Sequence, residues 1–230
     1  MNEKDCWLKI SSVILFAGGV LLILFSPIAL IPQPDIRIVA ALFVMPVFLL
    51  AAVLIPCGIS HGKNFWNILE LDSLKKSDIK PILSGVLVFI LSGILSFLWQ
   101  KITGKITPQF LVSYAVSCPL WQFVLILISA GVLAPVAEEL AFRRTIAGFI
   151  RTFITEDKFA VYLIPSLLFA LSHGIIWQSV LLFFFALYLQ WNQLSGSTAR
   201  TICIHAVFNW CTLIILILMR AGILPENLQV

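Results

Sequence analysis

Three groups of polar residues interrupt long apolar stretches of this chain, and each has a spacing that can support chemistry. The first is Ala137-Glu138-Glu139-Leu140-Ala141-Phe142-Arg143. On a helix, Glu139 and Arg143 stand four residues apart on one face and can pair, while Glu138 is turned away by about 100°. One carboxylate is then structural and the other is available for chemistry. A solvated helix end with an ordinary ion pair explains the same residues. The second group is Phe169-Ala170-Leu171-Ser172-His173-Gly174, where the histidine closes an apolar stretch and the glycine suits a helix end or bend. Taken alone, such a histidine reads as structural. The third is His205-Ala206-Val207-Phe208-Asn209, whose polar pair shares one helical face; interhelical hydrogen bonding would account for it as well. Ionisable groups in membrane segments cost roughly 2.5–3.5 kcal/mol each at a helix centre, so their recurrence here needs a reason. Of the three histidines, only His61 lies in polar sequence, and it receives no role.

The elements that must position these groups follow from composition. Hydrophobic residues make up 60% of the 230, charged residues only 11%, and mean hydropathy is +1.05. Soluble domains run near 45–50% apolar and 25% charged, which excludes a water-soluble fold. About 20 apolar residues span a bilayer core as helix, and the pattern predicts an all-α polytopic bundle of about seven spans, with six to eight as the bounds. They are Ile10 to Ile31, Ile38 to Ile55, Ile82 to Leu98, Leu120 towards Ala134, Phe159 to Leu171, Ile175 to Leu189 and Ile202 to Met219. The fourth is expected to run on through Pro135 into the acidic cluster, with Phe142 to Phe153 as an amphipathic continuation. The fifth is short.

No linker divides the chain, so residues 1–230 read as one membrane domain, with 1–119 as variable N-terminal helices and 120–219 as the core carrying the three motifs. With the N-terminus in the cytoplasm, eleven of the fifteen Lys and Arg fall on the cytoplasmic side and Arg37, Lys101, Lys105 and Arg220 fall outside, which favours that orientation. The Ser60–Lys80 stretch then becomes a cytoplasmic loop with the makings of an interfacial helix. A formal charge of +4 shared among loops does not suggest a nucleic-acid partner; the lipid bilayer is the expected one. Five scattered cysteines show no CxxC spacing and imply neither a zinc site nor structural disulfides.

In order, Glu138-Glu139-x-x-x-Arg143, Phe169-x-x-x-His173 and His205-x-x-x-Asn209 resemble the motif set of the CPBP (CAAX protease and bacteriocin-processing, or Abi) intramembrane peptidases. The resemblance covers about Leu133 to Leu213; Arg144 departs from it, standing where relatives often have glycine. It implies a glutamate-dependent endopeptidase of a bacterial cytoplasmic membrane acting on a membrane-associated, prenylated or leader-type protein or peptide. Glu138 would be the general base, His173 would hold or polarise the water, and His205 and Asn209 would stabilise the oxyanion. Glu139 and Arg143, with Phe169, would order the site. Two histidines and a glutamate could instead hold zinc through Glu138, His173 and His205, but the helical HExxH arrangement is absent and a metal-free site is preferred. A non-catalytic adaptor of the same fold, in bacteriocin self-immunity or beside a sensor kinase, is the alternative; a proton-coupled transporter is a second. One difficulty stands out. A regular up-and-down ladder carries His173 to the face opposite Glu138, so either the fourth helix must hold Glu138 at depth and continue past it, or the fifth must tilt or break.

Overall fold

The computed structural model describes residues 5–24, 34–71, 74–104, 110–173 and 176–225. Backbone groups in lipid must bond within their own segment, which leaves helix as the economical solution, and every long element among the described residues is helical. In chain order they are α1 (Cys6–Leu24), α2 (Pro34–His61), α3 (Ile79–Thr103), α4 (Phe110–Ser117), α5 (Leu120–Ile154), α6 (Lys158–Leu171), α7 (Ile176–Ser195) and α8 (Thr198–Arg220). Among the described residues, four helical stretches are long and apolar enough to cross a membrane: Ile36–Ile68, Lys76–Thr103, Leu120–Ile154 and Thr198–Arg220. The chain is an all-α, multi-pass membrane bundle.

Two features differ from the sequence expectation. The short α4 was not expected. Its end is gripped by Arg220, which donates to the carbonyls of Ala115, Val116 and Cys118 at 3.2, 3.2 and 2.7 Å. Between Ser60 and Lys80, α2 continues to His61, a 3₁₀ turn (Gly62–Asn64) and one helical turn (Phe65–Ile68) follow, and a second 3₁₀ turn (Lys76–Asp78) leads into α3. There is no separate interfacial helix among the described residues of that stretch. Lys4, Lys105, Gly174 and the end of the first expected span lie outside the described residues.

The depth problem is resolved by lengths. Helix α5 has 35 residues, about 52 Å at 1.5 Å per residue, so it carries Glu138 at mid-helix and runs well beyond it. From Glu138 to the helix end at Ile154 is about 24 Å, and from Lys158 back to His173 is about 22 Å. The two helices are antiparallel neighbours, so Glu138 and His173 return to one level. Asp157 starts α6 by accepting from the Phe159 amide at 3.0 Å, and α6 ends at Leu171, just before His173.

Helix α8 packs against α3, α5 and α7. Glycines let two helices approach it closely: a Cβ on Gly85 of α3 would stand 2.8 Å from the Ile204 carbonyl oxygen, and one on Gly131 of α5 would stand 2.9 Å from the Trp210 ring. The lipid-facing duty falls on α3, whose Leu83, Leu87, Ile90, Leu91, Ile94 and Leu98 are exposed. Ser197 caps α8 by accepting from the Arg200 amide at 3.3 Å, and Arg200 is anchored by donating through Nε to Asp78 at 2.8 Å.

Candidate active site

Helix α5 is not uniformly α-helical. Segments Ser129–Leu133, Glu139–Ile146 and Ile150–Ile154 have π-helical bonding, in which each amide reaches back five residues; such insertions recur at functional sites. The first has an identifiable consequence. Ala134 N–H bonds to Ser129 O in the five-residue register, so the next donor in that register would serve Ala130 O. That residue is Pro135, which has no N–H. The abandoned carbonyl is taken by Asn209, whose Nδ2 donates to Ala130 O at 2.7 Å. Asn209 thus ties α8 to α5 about two turns before Glu138.

Eight residues after Ala130 begins the acidic pair. Glu139 is fully buried and faces two partners at once. Its Oε2 lies 3.4 Å from Arg143 Nε, with both side chains inaccessible, and its Oε1 accepts from His205 Nδ1–H at 2.9 Å. The predicted Glu139–Arg143 pair therefore forms, and Glu139 also orients a histidine. The Arg143 guanidinium lies 4.3 Å above the centre of the Phe169 ring, a cation–π contact that adds to the ion pair where water is excluded.

Phe169 is the hub of the site. Its ring, completely buried, touches those of His173 and His205 at centroid distances of 4.7 and 5.8 Å. Its backbone carbonyl accepts from His173 Nδ1–H at 2.8 Å. Phe185 closes the other side of His205 at 5.4 Å.

These bonds settle how both imidazoles present themselves. A carbonyl or a carboxylate can only accept, so each histidine carries a proton on Nδ1 and turns Nε2 elsewhere. Both turn it towards one group: Glu138 Oε2 stands 4.0 Å from His173 Nε2 and 3.9 Å from His205 Nε2. The side chains are 17% (Glu138), 34% (His173) and 5% (His205) exposed, so the gap is reachable from outside through the His173 edge. The three residues expected to converge from separate helices do so. Asn209 is on the same face of α8 as His205, with its amide engaged at Ala130. Sequence reading passed over the pins behind the histidines, namely the Phe169 carbonyl and Phe185; a backbone carbonyl leaves no signal in a motif, and one phenylalanine among eighteen carries none either.

The spacing bears on what can sit between the three groups. Zinc ligands at about 2.0–2.1 Å in a tetrahedral arrangement stand about 3.4 Å from each other. Separations of 3.9 and 4.0 Å are too wide for that, and the residues as placed do not fit zinc. A water molecule about 2.8 Å from each atom fits, set to one side of the line between them.

The family comparison agrees with the motifs. Residues 119–211, which contain all three, match the model described as "Type II CAAX prenyl endopeptidase Rce1-like". No curated protein and no solved structure matches the chain. The segment that builds the site, from the start of α5 to the Asn209 turn of α8, is thus similar to the Rce1-like, CAAX-type prenyl endopeptidases.

Proposed function

We propose that the protein is an intramembrane endopeptidase that hydrolyses a peptide bond of a membrane-associated protein or peptide with Glu138 as general base. The observation that carries this reading is the convergence of Glu138 Oε2 with two histidine Nε2 atoms at a separation suited to a single water. A carboxylate facing a water-sized gap inside a largely dry bundle is placed to take the proton as that water attacks a carbonyl carbon. His173, pinned by the Phe169 carbonyl, presents its Nε2 lone pair to the same water and orients it.

The attack creates a negative oxygen that needs donors. His205 can donate from Nε2 only when its ring carries both protons, and Glu139 at Nδ1 is the counter-charge that form requires. Arg143 balances Glu139 in turn, so the three form one buried relay of alternating charge. Asn209 holds α8 in register and keeps a second N–H for the oxyanion. Glu138 then returns its proton to the leaving amine. Each role belongs to this chain's own side chains, and the mechanism is metal-free.

The orientation rule assigns the end of the bundle that carries Arg144 and Arg151 to the cytoplasm. The substrate class in this reading is a membrane-anchored chain, prenylated or of leader type, that reaches the site from that side. The test is hydrolysis of a panel of membrane-anchored fluorogenic peptides by purified protein in proteoliposomes. Glu138→Gln should abolish turnover while leaving thermal unfolding unchanged. A Glu138→Gln protein that cleaves at the parental rate overturns the proposal, and the adaptor reading of the same fold would then stand.

A further inference from the structure

A second polar cavity, of about 530 Å³, lies at the end of the bundle where α1 starts and α5 and α7 finish. It is lined by Arg143, Arg144, Arg151, Gln190, Asp5 and Glu70, among others, and Glu138 is not part of it. Two lining side chains are buried without meeting their bonding needs. Gln190 is completely buried, and neither its Oε1 nor its Nε2 has a hydrogen-bond partner among the described residues. Arg143 is 2% exposed, and none of its three nitrogens makes a hydrogen bond there. Buried amides and guanidinium groups are almost always bonded, so an unmet set facing one cavity points to an occupant.

The chemistry of the lining selects that occupant. Three guanidinium groups present flat, forked donors, the geometry that suits phosphate and carboxylate oxygens. Of the two acids, Glu70 is already engaged, its Oε2 accepting from Gln193 Nε2 at 2.9 Å and from the Thr198 amide at 3.3 Å. Arg144 spends its Nε on the Ile68 carbonyl at 2.7 Å, and its Nη2 stands 4.0 Å from Glu70 Oε1. Arg151 is exposed at the rim. Gln190, which offers both a donor and an acceptor, suits a hydroxyl beside the anion.

We infer that this cavity binds a phosphate group, with Arg151 and Arg144 holding its oxygens at the mouth and Gln190 bonding a neighbouring hydroxyl at the floor. The cavity opens at the lysine- and arginine-rich end of a membrane bundle, the level at which lipid phosphates lie, so an anionic phospholipid such as phosphatidylglycerol is one source and free phosphate is the other. Since Arg143 pairs with Glu139 on its other side, the bound group would abut the relay that orients His205.

Binding is read without any proteolysis, so the result is independent of the endopeptidase reading. Native mass spectrometry and equilibrium binding on the full chain in neutral detergent would use short-chain phosphatidylglycerol, inorganic phosphate and, as a control, phosphatidylcholine. Saturable retention of phosphatidylglycerol over phosphatidylcholine, weakened by about tenfold or more in Arg151→Gln and in Gln190→Leu, is expected. Competition by inorganic phosphate alone would assign the site to the free anion, and retention without such competition would assign it to lipid. Folding of the variants is checked by their elution and unfolding profiles, with Arg151→Lys as a conservative variant that should restore partial binding. Equal retention of both lipids together with no phosphate binding, or binding unchanged in both substitutions, overturns the inference.

Discussion

Replacing Glu139 by glutamine separates two jobs that this carboxylate performs. The change keeps the shape of the side chain and an acceptor for His205 Nδ1–H, but removes the charge facing Arg143 at 3.4 Å. The guanidinium is then left fully buried with no hydrogen bond among the described residues and only the Phe169 ring 4.3 Å away. Breaking a buried pair by removing one partner costs about 3–5 kcal/mol, and the cation–π contact, made with or without the Glu139 charge, cancels from the difference. A loss of roughly 3–5 kcal/mol of stability is therefore expected for Glu139→Gln, read by reversible unfolding in mixed detergent micelles. The double substitution Glu139→Gln with Arg143→Met removes the orphaned cation and should recover most of that loss. Hydrolysis should not recover. Without a carboxylate at Nδ1, doubly protonated His205 has no counter-charge, and a deficit of about 10²- to 10⁴-fold should persist in the double variant. A single variant as stable as the parent would refute the buried-pair argument. A double variant with full turnover would refute the role given to Glu139 in presenting His205.

Four further outcomes follow from the same geometry. Glu138→Gln should lower turnover by at least about 10²-fold with an unchanged unfolding midpoint, because its nearest histidine nitrogens are 3.9 and 4.0 Å away and it supports no buried charge by direct contact. Treatment with a chelator should leave turnover intact, with metal analysis of the purified protein showing well under one zinc per chain, since the three candidate ligands stand too far apart for a tetrahedral ion. Gly131→Ala should destabilise the fold by about 1–3 kcal/mol in the unfolding assay, its new methyl meeting Trp210 and Leu213 at 2.9–3.0 Å. Asn209→Leu should cost a similar amount, about 1–3 kcal/mol, by leaving the Ala130 carbonyl unbonded, and should cost it even in a Glu138→Gln background where no chemistry occurs.

What the sequence disclosed and what it concealed divide along a physical line. Apolar length is a property of the chain itself, so the long helices and the bundle were legible, and so was the Glu139–Arg143 pair, which needs only the helical repeat. The convergence of Glu138, His173 and His205 was legible as a requirement, and the length of α5 is how it is met. Concealed were relations made by backbone atoms, since every residue has a carbonyl and none announces when it will be needed. The Phe169 carbonyl that fixes His173 is one case. Pro135 and Asn209 are the more instructive pair. Proline inside a membrane helix signals an unserved carbonyl, but in a regular α-helix that carbonyl would be Gly131's; only the five-residue register of the Ser129–Leu133 segment moves the vacancy to Ala130, where Asn209 arrives. An asparagine four residues from a catalytic histidine reads from sequence as part of the chemistry. Its bond to a proline-orphaned carbonyl gives it a structural task that would persist in a chain with no activity at all. The Asn209→Leu measurement in the Glu138→Gln background therefore isolates that task, and any additional loss of turnover in the parent background measures what its second N–H does for the oxyanion.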